Sequence, residues 1–314
     1  MSAELNSVLR KVLREVTPGT SLVLKGGFAL AYAYGSERET DDLDFDAERG
    51  GRIKAHIVNA VKRLVPHAVV DLVKDTDTDT RLRIRYPADG TEGRFKIEVS
   101  YRTPCPPSEK VEVDGVAVAA PTRLIEGKLS AAHDGTRTRT KARDMYDLDF
   151  LSRRFEADFT RDQAIRLAEF AADPVALVQR YIPAFKEAAE LNVPPTIVDD
   201  MALNLALQAE HLRAMREREF RIESLKEIAA SQGPGAPFAV RAMEALKSNG
   251  GDTSAVDWKT VHSRALDKAK RAGFSYDETM QTLSEISPAL VTEHDRVAFK
   301  PPNNTHKPGG SRKF

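Results

Sequence analysis

The hydrophobic and polar positions of the first 65 residues predict alternating helices and short strands. Apolar residues recur every three or four positions over residues 5–16, which predicts an amphipathic helix. Residues 22–24 predict a short buried strand, and Gly26-Gly27 then turn the chain into a second helix. A polar loop leads to a strand at residues 43–46, and residues 53–65 again have helical spacing.

After residue 65 the hydrophobic pattern changes from helical spacing to alternation, and after Pro121 it changes back to helical spacing. Four alternating segments rich in Val, Ile and Tyr predict strands near 68–73, 81–86, 94–101 and 110–119. Asp114-Gly115 within the last of them indicates a hairpin. Helical spacing follows near 122–133, 141–153, 161–172, 174–190, 196–217, 221–231, 237–248, 255–271 and 276–287. We therefore predict an α+β fold: a domain with a small mixed sheet at 1–155, a helical domain at 156–299, and a disordered basic tail at 300–314.

Composition narrows the class of protein only moderately. The 314 residues carry 47 basic and 47 acidic side chains, so a nucleic acid would have to be held by a local basic patch. The single cysteine, Cys105, excludes an internal disulfide or a zinc–thiolate cluster. No signal peptide or membrane-spanning stretch is visible, so we expect a cytoplasmic protein without a membrane partner.

The second strand carries the most informative polar pattern. Because residues two apart on a strand share a face, Asp42, Asp44 and Asp46 lie on one side, while Leu43 and Phe45 anchor the other. Carboxylates facing one cleft repel each other unless a cation lies between them. Oxygen ligands of this kind suit Mg²⁺ or Mn²⁺.

An Asp-x-Asp strand alone is more often solvated surface than a metal site. Lys25-Gly26-Gly27 strengthens the functional interpretation, because glycines at a strand-to-helix turn let the backbone and the helix N-terminus approach a triphosphate. A phosphate-binding turn followed about 15 residues later by two carboxylates predicts part of a nucleotidyl-transfer site that uses an NTP. Glu98 is a candidate third carboxylate, and a half-exposed strand face is an equally good explanation for it.

Two later helices carry further candidates. Lys128 follows Gly127, a residue that costs about 1 kcal/mol in a helix interior. Asp144 and Asp147 share one helix face, and buried acidic residues need partners such as Lys128 or Arg143. The alternative is an internal salt bridge that ties two helices together without a catalytic role.

Together these motifs resemble the AbiEii/AbiGii toxin family, which includes the mycobacterial MenT toxins and belongs to the polymerase-beta-like nucleotidyltransferase superfamily. The resemblance covers residues 20–155. It rests on Lys25-Gly26-Gly27 with Leu30, Arg38-x-Thr40-x-Asp42-Leu43-Asp44-Phe45, Lys128-Leu129-x-Ala131, and Arg143-Asp144-Met145-Tyr146-Asp147-Leu148. Phe28 departs from the family, in which a small or hydroxyl residue usually follows the glycines.

The resemblance implies the role of each residue. Lys25, Gly26, Gly27 and Lys128 would bind the nucleotide. Asp42 and Asp44 would hold the metal, and Asp147 would complete the catalytic set. Further members implied as possible are Asp144, Arg38 and Thr40.

The resemblance also implies the biology. Family members are toxins of bacterial toxin–antitoxin or phage-defence systems, and some transfer nucleotides to the tRNA 3′ end, which blocks translation. An RNA acceptor and a cognate antitoxin protein are therefore expected partners. Two alternatives stay open: a protein or small-molecule acceptor, and a non-catalytic module that binds nucleotide or RNA.

Two basic clusters could contact RNA phosphates. Arg81, Arg83 and Arg85 alternate on one strand, where a solvated face is the simpler interpretation. The second cluster precedes the Asp144 helix and consists of Arg137, Arg139, Lys141 and Arg143.

Overall fold

The computed structural model of the chain describes residues 3–50, 52–88, 91–133, 139–191, 193–231, 233–249, 255–275 and 278–279. It confirms the predicted order of strands and helices. The strands are β1 Val23–Lys25, β2 Asp42–Asp46, β3 Val69–Asp75, β4 Asp79–Ala88, β5 Thr91–Ser100, β6 Lys110–Val113 and β7 Val116–Ala119. The helices of the described ranges are α1 Ala3–Val16, α2 Gly26–Ala33, α3 Ile53–Leu64, α4 Pro121–Ala132, α5 Ala142–Arg154, α6 Arg161–Phe170, α7 Pro174–Glu187, α8 Ile197–Ala230, α9 Ala236–Ser248 and α10 Trp258–Arg271.

All seven strands join one mixed sheet in the order β3-β4-β5-β2-β1-β7-β6. The central strand β2 runs antiparallel to β1 and parallel to β5, and β1 runs parallel to β7. Leu43 and Phe45 are fully buried, as the alternation of β2 predicts. Ile97 of β5 is also fully buried, so β2 and β5 place an apolar side against the core and leave the polar side chains of β2 on the other side.

The predicted hairpin at Asp114-Gly115 is confirmed. It joins β6 to β7, which pair antiparallel. Asp114 and Gly115 have φ angles of 50° and 77°, the left-handed values that a two-residue type I′ turn requires. These two small residues therefore fix the register of the last strand pair of the sheet.

The helical segments are confirmed with one correction. The helices predicted at 196–217 and 221–231 are one helix, α8, which runs from Ile197 to Ala230 over 34 residues. The intervening sequence contains neither Gly nor Pro, and Arg216 pairs with Glu219 one turn away, so nothing interrupts the backbone hydrogen bonds. The predicted helix at 276–287 and the predicted tail at 300–314 lie outside the described residues, apart from residues 278 and 279.

Backbone contacts divide the chain into two compact units, Met1–Ala214 and Met215–Phe314. The division falls inside α8, whereas the change from mixed to purely helical structure falls near residue 155; the domain boundary placed there stays a prediction. In the second unit, Phe238 packs with Leu225 in an apolar cluster and stacks on His262 with a ring separation of 4.9 Å. None of the helices in the described ranges is long and apolar enough to cross a membrane.

Candidate active site

The sheet brings three carboxylates together on one face. In the parallel pair of β2 and β5, Asp42 lies opposite Lys96 and Asp44 lies opposite Glu98. Side chains directly opposite each other on adjacent strands have Cβ atoms about 5 Å apart. Asp42, Asp44 and Glu98 therefore form one acidic group, although Glu98 lies more than 50 residues after the two aspartates in the sequence.

The three carboxylates differ in their partners. Lys96 Nζ donates a hydrogen bond to Asp42 Oδ1 over 3.1 Å, and Arg81 forms an ion pair with Glu98, Nε to Oε1, over 2.8 Å. In the described part of the chain, the side-chain carboxylate of Asp44 forms no hydrogen bond or ion pair. The carboxylate at the centre of the group is thus the one that lacks a cation.

This environment raises the pKa of Asp44 to about 6. Burial is the main cause, and the negative charges of Asp42 and Glu98 add to it, while Lys128 and Lys25 act in the opposite direction. The oxygen donors fit a hard divalent cation, which would supply the positive charge that this group lacks. No three His, Cys, Asp or Glu side chains in the described ranges already converge as a metal site, so these carboxylates would have to turn toward an ion.

The two glycines of the Lys25-Gly26-Gly27 turn make room for neighbouring side chains. Gly26 opens α2 with φ of +71°, and a Cβ atom there would overlap the Asp44 carboxylate. A Cβ atom at Gly27 would overlap the Arg38 guanidinium. Phe28, the departure noted in the sequence, points into the core and stacks on Tyr32 with a ring separation of 6.2 Å.

A buried ion network connects the loop before β2 to helices α4 and α5. Arg38 donates two hydrogen bonds to Asp147, Nε to Oδ1 over 2.6 Å and Nη2 to Oδ2 over 3.0 Å. Lys128 Nζ lies 2.6 Å from Asp147 Oδ2 and 3.8 Å from Asp144 Oδ1. Arg139 closes the network by donating two hydrogen bonds to Asp144, of 2.8 and 2.7 Å.

Asp144 and Asp147 of α5 are fully buried, and both are paired. Burial alone would raise the pKa of Asp147, but Lys128 and Arg38 outweigh it and hold the pKa below its usual value. From the sequence, a salt bridge between two helices was the alternative to a catalytic role. That salt bridge is present, since Lys128 on α4 pairs with Asp147 on α5. Asp147 has both oxygens occupied, which favours a positioning role over contact with a substrate.

Two residues next to the carboxylates were not singled out as site residues from the sequence. Asp46 is buried and accepts hydrogen bonds from Lys25 Nζ at 2.5 Å and Arg123 Nη2 at 3.1 Å. The alternation of β2 had already placed Asp46 on the face of Asp42 and Asp44, and this signal could have found it. Arg123, at the start of α4, carried no signal because its partner lies 77 residues earlier.

A cavity of about 460 Å³ lies between the β1 turn and helix α4. This volume is within the usual range of small-molecule sites. Its lining consists of Lys25, Gly26, Asp46, Thr103, Arg123, Leu124, Glu126, Gly127, Lys128, Ser130, Ala131 and Arg139. Four of these side chains are cationic and two are acidic, so the cavity suits an anionic ligand.

The remaining candidates occupy diverse environments. Thr40 is buried, and its hydroxyl oxygen lies 3.5 Å from the backbone nitrogen of Asp42. Arg81 pairs with Glu98 and Arg85 pairs with Asp71, whereas Arg83 is exposed. In the second basic cluster, Arg137 lies outside the described residues, and the exposed or half-exposed members are Arg139, Lys141 and Arg143.

Comparisons with known proteins agree with this architecture. The chain matches the family model "Nucleotidyl transferase AbiEii toxin, Type IV TA system" over residues 7–235, well beyond the range covered by the sequence motifs. A Helicobacter pylori structure described as a candidate nucleotidyltransferase is 33% identical with a TM-score of 0.63, and the match covers 69% of this chain and 98% of that one. A second Helicobacter pylori structure, of JHP933, is also 33% identical with a TM-score of 0.63, covering 70% and 96%. No curated protein matches significantly. The chain therefore belongs to the AbiEii family of nucleotidyltransferase toxins of type IV toxin–antitoxin systems.

Proposed function

We propose that this nucleotidyltransferase transfers a nucleoside monophosphate from an NTP to the 3′ end of an RNA, namely tRNA, with Mg²⁺ or Mn²⁺ at Asp42 and Asp44. Modification of that end would block aminoacylation and hence translation, as expected of a toxin. The role in phage defence belongs to the same proposal. Family membership implies a cognate antitoxin that counters the activity.

One observation carries the proposal. Asp44 lies between Asp42 and Glu98 without an ion-pair partner in the described part of the chain, and its neighbour Gly26 lines the cationic cavity. Acidic ligands beside a cationic, nucleotide-sized cavity are the two halves that phosphoryl transfer requires. A solvated surface strand would not place its carboxylates beside such a cavity.

The side chains around the cavity have separate proposed roles. Lys25, Lys128 and Arg123 would neutralise the triphosphate, and the open backbone at Gly26 and Gly27 would let the phosphates approach α2. A divalent ion held by Asp42 and Asp44, with Glu98 as the third carboxylate, would neutralise charge on the phosphates and lower the pKa of the attacking hydroxyl. The 3′ hydroxyl oxygen would bond to the α-phosphorus as the bond to the β-phosphate oxygen breaks, releasing pyrophosphate.

Asp147 and its partners would hold this arrangement in place. Lys128 is shared between Asp147 and the cavity, so the position of its ammonium group depends on the buried carboxylate. Arg38 packs against Gly27 at the turn and bonds the same carboxylate. We therefore assign Asp147 to positioning, with Asp144 supporting Lys128 and Arg139 from the preceding turn.

The test is incubation of the purified protein with unfractionated tRNA, Mg²⁺ or Mn²⁺, and each α-labelled NTP in turn. We expect labelled tRNA with at least one NTP, and no label with EDTA. Asp44→Asn should lower the transfer rate about 100-fold or more, equivalent to about 3 kcal/mol of transition-state stabilisation.

Asp114→Asn is the matched control, because Asp114 lies in the exposed turn between β6 and β7, pairs with Arg14 and does not line the cavity. It should label tRNA at the wild-type rate. Label in protein or a small molecule instead of tRNA would contradict the proposed acceptor. Label that Asp44→Asn leaves unchanged would contradict the proposed site.

A further inference from the structure

The face of the sheet that carries Asp42 and Asp44 also carries a group of basic residues on β4 and β5. The register places Arg83 opposite Lys96 and Arg85 opposite Arg94. Lys96 in turn lies opposite Asp42 of β2. Because adjacent strands lie about 4.8 Å apart and directly opposite residues share a face, these four basic side chains adjoin one another and begin beside the carboxylates.

The members of this group differ in how far their charge is already neutralised. Arg85 pairs with Asp71, and Lys96 pairs with Asp42. Arg83 and Arg94 are exposed, and within the described ranges neither forms an ion pair. Two arginines on one sheet face therefore present guanidinium groups that form no ion pair with the described residues, since Asp71, opposite Arg83 on β3, pairs with Arg85 instead. The formal net charge of the chain is zero.

We propose that Arg83, Arg94 and Lys96 form a basic surface that binds the backbone phosphates of the RNA acceptor and directs its 3′ end to Asp42 and Asp44. This inference rests on the proposed function. An RNA strand carries one negative charge per nucleotide along its length, so it can lie across the sheet and still reach the carboxylates. Guanidinium groups suit phosphates because they donate paired hydrogen bonds in one plane.

An acidic protein is the other polyanion that such a surface could bind. RNA is favoured because the row of basic residues ends at Asp42, the proposed position of the acceptor hydroxyl. An acidic protein bound to this surface would not need to reach the carboxylates. Contacts with backbone phosphates would supply affinity and orientation without reading the RNA sequence.

The test compares two double variants that each lose two positive charges. Arg83→Ala with Arg94→Ala removes the two arginines of the surface that form no ion pair in the described ranges. Arg14→Ala with Arg63→Ala is the control, because these exposed arginines lie on α1 and α3 and pair with Asp114 and Glu15. Binding of unfractionated tRNA is measured by fluorescence anisotropy over a range of salt concentrations, and circular dichroism checks folding.

Loss of two phosphate contacts should reduce the slope of log K against log salt by about 1.4, which is about a 10-fold or greater loss of affinity near 0.1 M salt. The control should bind as the wild type does. Arg83→Lys with Arg94→Lys should recover most of the affinity because it keeps the charge. In transfer assays, Arg83→Ala with Arg94→Ala should raise the KM for tRNA while the KM for NTP and the kcat at saturating tRNA stay near wild type.

The outcomes separate this inference from the proposed function. In one outcome, the wild-type protein transfers label to tRNA, and the Arg83→Ala/Arg94→Ala variant binds tRNA as tightly as the control. This outcome would overturn the proposed RNA-binding surface and leave the proposed function intact. That result is also the one expected if the surface binds an acidic protein. Wild-type protein that neither binds nor labels tRNA would overturn both.

Discussion

Arg38 and Asp147 form a two-bond ion pair across 109 residues of sequence, with side chains that are only 2% and 0% exposed. The pair ties the loop before β2 to α5, and Lys128 on α4 joins it from the other side. Three segments that contribute to the site therefore share one buried carboxylate. Removing one member of a buried pair is costly because the remaining charge stays buried without a partner.

Replacement of Asp147 should therefore destabilise the fold. Asp147→Asn keeps the shape but leaves Arg38 and Lys128 without their full counter-charge, and we expect a loss of about 3–5 kcal/mol in the free energy of unfolding. Urea denaturation followed by circular dichroism measures it. Arg38→Gln and the double variant complete a mutant cycle that should show a coupling of about 1 kcal/mol or more. A single-variant loss below about 0.5 kcal/mol would show that the buried pair is energetically neutral.

Replacement of a helical glycine by alanine should have opposite effects on stability at Gly27 and Gly127. At Gly27 the added Cβ would overlap Arg38, so Gly27→Ala should cost about 1–3 kcal/mol of unfolding free energy. At Gly127 nothing lies within 4 Å, so Gly127→Ala should stabilise α4 by about 0.5–1 kcal/mol. Thermal unfolding of both variants tests the pair. An equal effect at the two positions would mean that the contact with Arg38 does not constrain the turn.

Acid stability should depend partly on Asp79. Hydrogen bonds from Lys74, Thr78 and Arg102 outweigh its partial burial and lower the pKa of Asp79 to about 2, with Lys74 the largest contributor. The folded pKa lies below the unfolded value, so the stabilisation is fully present above about pH 4 and is lost as the pH falls through 2.

Asp79 lies near the surface and its charge is screened by solvent, which limits its contribution to the free energy of unfolding to about 1 kcal/mol. The difference in unfolding free energy between wild type and Asp79→Asn should shrink between pH 5 and pH 2. A difference that stays constant over this range would rule out the lowered pKa as its source.

Metal binding should depend on the central carboxylate. Under the proposed function, Asp44→Asn removes a charged oxygen ligand from the group formed with Asp42 and Glu98, and we expect Mn²⁺ affinity to fall about 10-fold or more. Isothermal titration calorimetry with Mn²⁺ alone measures this, with Asp114→Asn as the control. Equal Mn²⁺ affinity in all three proteins would place the metal elsewhere.

Much of the fold was predictable because its signals are local. The period-two pattern of β2, the Asp114-Gly115 turn and the helical spacing after Pro121 each depend on residues within a few positions of one another. The continuous helix α8 was wrongly predicted as two helices. Four consecutive charged residues at 216–219 interrupt the apolar spacing, although no Gly or Pro interrupts the helix there.

The site was harder to predict because most of its contacts join residues that are far apart in the sequence. Asp42 and Asp44 could be assigned to one face from alternation alone, and the order of motifs indicated the family. The sequence could not show that Arg123 pairs with Asp46. It also could not show that Arg81 pairs with Glu98, whereas Arg83 forms no ion pair in the described ranges. In both cases the partner lies on a different strand or helix.

The sequence alone determined the strand and helix periods, the acidic face of β2 and membership of the nucleotidyltransferase family, since these depend on spacing along the chain. Only the tertiary structure decided that Asp147 is buried between Arg38 and Lys128, that Gly26 and Gly27 make room for Asp44 and Arg38, and that Asp44 has no cation partner in the described part of the chain. The physical reason is that burial and pairing depend on strand register and helix packing, which bring together residues far apart in sequence.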